Sequence, residues 1–185
     1  MKMDYSIVKK SRKAHTNIQK EKYIMMRPYR NEDLETICAI AKRAYDGIFS
    51  GFEEQIGKKA LDAWIPDAKN SKTAQLTLMA QTHPEWLYIC ERNGKTVGFI
   101  MFHLDYKRGL GSIGNNASDP LAGEKGVGNE MYTFVLDYFR KEGMKVAMVH
   151  TGLDEAHAPA RRAYERMGFD KTVPEVLYFK ELDEE

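Results

Sequence analysis

The run Gly123-Glu124-Lys125-Gly126-Val127-Gly128 sets two residues without side chains ahead of an amphipathic segment. Glycine lets the backbone approach a ligand closely. A helix that begins there offers unpaired N–H groups and the positive end of its dipole, which together suit phosphate. Three or four charge-assisted hydrogen bonds, at about 1.5–3 kcal/mol each, would anchor a diphosphate ester. Two familiar phosphate loops are excluded. A Walker A loop ends in Gly-Lys-Ser/Thr, but Gly128 is followed by Asn129-Glu130. A dinucleotide fingerprint needs a third glycine where Met131 stands. On these residues alone, a glycine turn that serves only as a helix entry remains the alternative.

Alternating elements must position this turn. Tyr23-Ile24-Met25-Met26-Arg27 reads as a strand stopped by Pro28. Asn31 is set to cap a helix, with Glu32 and Asp33 in its first turn. Leu34, Ile37, Cys38, Ala41 and Tyr45 keep helical spacing, and further helical stretches are expected over 53–68 and 71–82. Trp86 to Arg92 and Thr96 to Leu104 read as strands joined through Asn93-Gly94, a strong hairpin signal. Leu110 to Ala117 is a third strand. Past the glycines, Val127, Met131, Phe134, Val135, Tyr138 and Phe139 share one helical face. Gly143 stands where a helix ends in a left-handed residue. Val146-Ala147-Met148-Val149 is apolar on both faces and predicts a central strand. Ala160, Ala163, Tyr164 and Met167 mark a last helix ended by Gly168, and Val176 to Phe179 a last strand. The fold class is mixed α/β, with hairpins early and a strand–helix–strand unit late.

Three motifs in this order resemble the GNAT superfamily of N-acetyltransferases. Gly126 and Gly128 match the last two fixed positions of its Gln/Arg-x-x-Gly-x-Gly/Ala motif, while Gly123 stands where the family has Arg or Gln. Ala160-Arg161-Arg162-Ala163-Tyr164-Glu165-Arg166-Met167-Gly168-Phe169 is similar to its A-x-x-x-Y-E-x-x-G-F helix, with His157 in place of a frequent Asn. Met26-Arg27-Pro28 with Asn31-Glu32-Asp33-Leu34 is similar to its R-P-x-x-x-x-D opening. The resemblance runs from Trp86 to Phe179. It implies the acyl-CoA N-acyltransferase fold, a mostly antiparallel central sheet flanked by helices. It implies a domain over 23–181, with a basic arm at 1–22 and an acidic tail at 182–185 outside it.

The resemblance also implies a chemistry and the residues that perform it. Acetyl-CoA is then the co-substrate, and a primary amine of a small molecule or peptide attacks its thioester directly. Lys125, Gly126, Val127, Gly128, Asn129, His157, Ala160 and Arg161 bind the coenzyme, and Arg162 stands near its phosphates. A backbone N–H of the fourth strand, at Asn116, Ala117 or Ser118, takes the thioester oxygen, a donor typically worth ~3 kcal/mol. The same strand pairs with the pantetheine arm. Tyr164 protonates the leaving thiolate; a phenol of pKa near 10 can serve a thiol near 8.5. Core packing is its alternative role. The family's frequent Glu base is missing from the fourth strand, so His150 is the best substitute by its ordinary pKa. Asp154 and Glu155 are weaker candidates for the same task. Tyr45, Asp46, Phe49 and Phe52 are expected to line the acceptor site, with Asp46 attracting the cation, or else to pack between two helices. A homodimer is common in the family. The rival function is a non-catalytic acyl-CoA sensor of the same fold.

Composition narrows the rest. The formal net charge is +1, so no global field draws nucleic acid or membrane. Residues 1–22 hold seven Lys/Arg and two Asp/Glu, a local +5, which reads as a solvated arm or a strand packed on a neighbouring subunit, with contact to phosphate or an acidic partner as the alternative. No apolar run approaches the ~18 residues of a membrane span, and the first residues lack a signal-peptide centre, so a cytoplasmic protein is expected. Cys38 and Cys90 sit in apolar stretches and read as reduced core residues. The histidines at 15, 83, 103, 150 and 157 form no ligand spacing, so no metal is expected.

Overall fold

Both faces of the central hairpin are apolar, and that decides the architecture. The computed structural model describes residues 24–182; the basic arm, Tyr23 and residues 183–185 lie outside them. Strands β2 (Leu87–Arg92) and β3 (Lys95–Asp105) join through Asn93 and Gly94, whose φ values of 53° and 74° give the expected primed turn. Successive strand residues point to opposite faces. Tyr88, Cys90, Ile100 and Phe102 enter one core cluster, and Leu87, Ile89, Phe99 and Met101 the other. Such a sheet must be covered twice. Helices α3 (Val127–Lys141) and α4 (Ala158–Arg166) cover the first face. Helices α1 (Leu34–Trp64) and α2 (Ala68–Thr82) cover the second. Phe99 and Phe102 are fully buried, worth about 1.5–3 kcal/mol each.

The sheet runs β1-β2-β3-β4-β5, with β1 at Ile24–Pro28, β4 at Leu110–Ser118 and β5 at Val146–Val149. All pairs are antiparallel except β4 with β5. The expected face of α3 is realised: Val127, Met131, Phe134, Val135 and Phe139 are buried, and Tyr138 packs against the same cluster.

The opening motif has a structural task. The Arg27 guanidinium donates 2.7 Å bonds to both Asp33 carboxylate oxygens and a 2.9 Å bond to Glu91. Asp33 also accepts from the Arg30 N–H at 2.8 Å, closing the turn that leads into α1. Burial pushes the Asp33 carboxyl up, but the Arg27 and Arg30 bonds outweigh it and hold it below its ordinary range. This pair pins α1 to the edge of β1.

Four expectations are corrected. Asn31 does not cap the helix; residues 31–33 form a 3-10 turn whose polar work falls to Asp33. The helical spacing that reaches Tyr45 and the stretch expected from residue 53 are one helix, α1, which bends at Gly57, where φ is 77°. Only glycine adopts that angle without strain, so the bend sits where its residue permits it. Strand β5 is not central. It lies at the sheet edge, with Val146 58% and Met148 48% exposed, because no helix or further strand among the described residues covers its outer side. Residues 176–179 form no strand and stay exposed. Apolar alternation states a propensity, and a strand exists only where a partner pairs with it.

Candidate active site

The site begins where two parallel strands part. Pairing of β4 with β5 runs from Leu110↔Val146 to Ile113↔Val149, where β5 ends. Strand β4 continues through Gly114 to Ser118 with β3 on one side only. The Asp119 N–H donates to the Val97 carbonyl at 2.8 Å. Antiparallel pairs alternate between bonded and unbonded. Counting back from Val97/Asp119, Ala117 turns its amide and carbonyl toward β3. Ser118 and Asn116 turn theirs into the opening. Of the three nominated residues, Asn116 and Ser118 therefore face the notch and Ala117 faces the sheet, its side chain buried.

Three tyrosines converge on Asn116. The Tyr45 hydroxyl donates to the Asn116 carbonyl at 2.9 Å and accepts from the Asn116 N–H at 3.2 Å. The Tyr132 hydroxyl donates to Asn116 Oδ1 at 2.8 Å. Asn116 Nδ2 donates to the Tyr164 hydroxyl at 3.4 Å and to the Gly114 carbonyl at 3.0 Å. The rings of Tyr132 and Tyr164 stand 5.0 Å apart. Burial pushes the phenols of Tyr45 and Tyr132 well above the ordinary range, so both stay protonated at neutral pH. Tyr164 is 6% exposed and also packs in the core, so its ring is buried while its hydroxyl reaches the cluster. No sequence expectation covers Tyr132, because it lies off the apolar stripe of α3. An aromatic with a polar tip, one position past Met131, is the available signal.

The turn at Gly123–Lys125 stands at the start of α3. Gly126 adopts φ 83° as the residue before the helix, and the first intrahelical bond is Glu130 N–H to Gly126 carbonyl at 3.1 Å. The N–H groups of Val127, Gly128 and Asn129 therefore precede that ladder, with no side-chain cap. A Cβ at Gly126 would meet nothing within 4 Å, so the space beside that residue is open. A diphosphate fits this cradle. Arg92 braces the loop from behind. Its buried guanidinium donates to the Glu124 carboxylate and, at 3.2 Å, to the Lys125 carbonyl. No sequence pattern singles out Arg92 or Glu124, which lie 32 residues apart. The Lys125 side chain is exposed.

On α4 the nominated residues divide. His157 Nδ1 lies 2.6 Å from Asp154 Oδ2, and its ring stacks on Phe52 at 6.2 Å. Arg161 spends its Nη1 on the Gly152 and Asp154 carbonyls at 2.7 and 2.6 Å, bracing the loop before α4. Ala160 is half-buried and Arg162 exposed. His150 is set apart. Its side chain is 86% exposed, 3.9 Å from Glu175, and it bonds to none of the three tyrosines.

Opposite these lies the face of α1. Tyr45, Asp46 and Phe49 line a pocket of about 320 Å³ between α1 and α2. Phe52 is not in it; its ring stands 5.4 Å from Trp64, which in turn lies 5.4 Å from Phe179. No helix among the described residues is long and apolar enough to cross a membrane.

Known proteins resemble this chain in sequence and share its fold. The acetyltransferase (GNAT) family model matches residues 44–169. The chain is 31% identical over 97 residues to a mycothiol acetyltransferase of Thermomonospora curvata, covering 51% of this chain and 31% of that one. It is 27% identical over 89 residues to an uncharacterized N-acetyltransferase of Methanocaldococcus jannaschii, covering 45% and 38%. The chain thus spans about a third of the length of the curated relatives it matches. Its fold is similar to the PaiA N-acetyltransferase of Thermoplasma acidophilum in complex with coenzyme A, at TM-score 0.60 and 16% identity, over 80% of this chain and 89% of that one. The matched span takes in the parted strands, the glycine turn and the tyrosine helix together, and the chain belongs to the acetyltransferase (GNAT) family.

Proposed function

We propose that this protein transfers an acetyl group from acetyl-CoA to a primary amine of a small molecule or peptide. The carrying observation is the outward-facing amide of Asn116, beside the open amides of α3. The diphosphate of the coenzyme lies on the N–H groups of Val127, Gly128 and Asn129. Its pantetheine arm runs along the free edge of Asn116 and Ser118 as an added strand. The thioester oxygen takes the Asn116 N–H. The Tyr45 hydroxyl fills both bonds of Asn116 now, and it must yield them to the coenzyme. The amine attacks the carbonyl carbon, the C–S bond breaks, the thiolate takes the Tyr164 proton, and the proton released by the acetylated nitrogen returns to the Tyr164 phenolate through water.

No base stands in the tyrosine cluster, since Tyr45 and Tyr132 are held protonated and His150 points to solvent. The amine therefore reacts from its neutral fraction, about one molecule in a thousand at pH 7 for an amine of pKa ~10.4. The rate then rises about tenfold per pH unit below the pKa of the amine. The test is thioester consumption over a panel of amines, with Tyr164→Phe as control. Turnover with a loss of roughly 10- to 100-fold in kcat on losing the hydroxyl supports the reading. Coenzyme binding without turnover on any amine points instead to an acyl-CoA sensor.

A further inference from the structure

The pocket between α1 and α2 has a lopsided charge. Lys42, Lys69 and Lys72 line it with a single carboxylate, Asp46, so three positive charges face one negative. This stands out in a chain whose net charge is only +1. Further along α1, Lys58 and Lys59 each have a carboxylate partner, Asp62 and Glu181. Among the described residues, no carboxylate lies within ion-pair distance of Lys42, Lys69 or Lys72.

Lys72 is the most telling of the three. It is half-buried, its Nζ donates to Asn115 Oδ1 at 3.1 Å, and it stands 5.1 Å over the Tyr45 ring. A neutral amide and an aromatic face replace only part of the lost hydration of an ammonium. Burial accordingly pushes its pKa below the ordinary lysine range. An incoming anion would complete its shell with charge-assisted bonds. The pocket also has a direction. Tyr45 is its wall toward the reaction centre, because the same hydroxyl bonds the Asn116 N–H and carbonyl. A molecule with its anionic end on Lys72 and Lys69 lies against that wall.

We propose that the acceptor is an amine that also carries a carboxylate, which Lys72 and Lys69 hold, with Lys42 at the rim and Asp46 facing the ammonium. This rests on the acetyl-transfer reading above and names the substrate class for it. Polyamines and other purely cationic acceptors are disfavoured by the same charges.

The experiment compares acetyl-CoA turnover on phenylalanine with phenethylamine and on leucine with isoamylamine, pairs that differ only by the carboxylate. Spermidine serves as the polycation and O-phosphoethanolamine as the phosphate arm. Each is run on the wild type, Lys72→Met, Lys69→Met and, as a control outside the pocket, Lys58→Met. The expected result is at least tenfold higher kcat/KM for each carboxylated member. Lys72→Met raises its KM at least tenfold and Lys69→Met severalfold. KM for the decarboxylated partner and Kd for acetyl-CoA stay within twofold, as does everything in Lys58→Met. Equal use of both members, or an unchanged KM in both pocket variants, overturns the substrate class and leaves acetyl transfer standing. Preference for O-phosphoethanolamine overturns the carboxylate assignment. Turnover on no amine at all overturns this inference together with the acetyl-transfer reading.

Discussion

The proposed coenzyme side and the proposed acceptor side of this molecule are built from different materials. The first is main chain: the edge of β4 at Asn116 and Ser118, and the opening amides of α3. The second is side chains on two helices: Tyr45, Asp46, Phe49 and three lysines. A backbone site depends on glycine and on strand pairing, so it tolerates much sequence change and keeps one ligand. A side-chain site changes its ligand with a single substitution. The contrast teaches why a shared coenzyme goes with unshared acceptors in one fold.

That division can be broken in four ways. Gly126→Val attacks the main-chain side. Its φ of 83° resists a branched side chain, and the new atoms enter the open space beside the residue that precedes the α3 amides. Strain should cost about 1–2 kcal/mol of stability. Losing one or two charge-assisted bonds should raise the acetyl-CoA Kd about 100-fold, read by calorimetry. An unchanged Kd would locate the diphosphate elsewhere.

Asp33→Asn attacks the seating of the acceptor helix instead. Removing one partner of a buried pair costs about 3–5 kcal/mol, and Glu91 lessens this to roughly 2–3. The wild-type carboxyl is depressed in the folded state. Its contribution is therefore complete above the unfolded value near 3.9 and lost as pH falls through the folded value. Urea titrations below pH 4 should show a steep loss in the wild type and a flatter one in the variant.

Tyr45→Phe removes the contact by which the acceptor helix occupies the Asn116 edge. The two Tyr45 hydrogen bonds are then no longer displaced, and at a net of about 0.5 kcal/mol or more each, acetyl-CoA should bind at least about fivefold tighter. Weaker binding would mean that Tyr45 supports the coenzyme rather than standing in for it. The smallest effect belongs to His150→Ala. A side chain so exposed should change kcat/KM by less than twofold, and a larger loss would restore it as the base.

Legibility in the sequence divides along the same line. The glycine turn, the α3 stripe and the Asn93-Gly94 hairpin are local signals, each within reach of its own backbone. Arg27 and Asp33 are six residues apart and are visible as a motif, though not as an ion pair. The Tyr45 bond to Asn116 spans 71 residues, and the Arg92 bond to Glu124 spans 32. No periodicity encodes such meetings; they depend on how helices settle on the sheet. The edge position of β5 is hidden for a related reason. Its composition suits burial, but coverage is decided by other segments.

The Arg92 brace has a kinetic consequence. Because a buried guanidinium ties Glu124 and the Lys125 carbonyl, the loop ahead of α3 holds its shape in the free protein. The entropy of ordering that loop is lost when the chain folds, not when the nucleotide arrives. Association of the coenzyme should then proceed as a docking of preformed surfaces, quick and weakly temperature-dependent. Loosening the brace would slow the encounter before it altered any atom that touches the ligand.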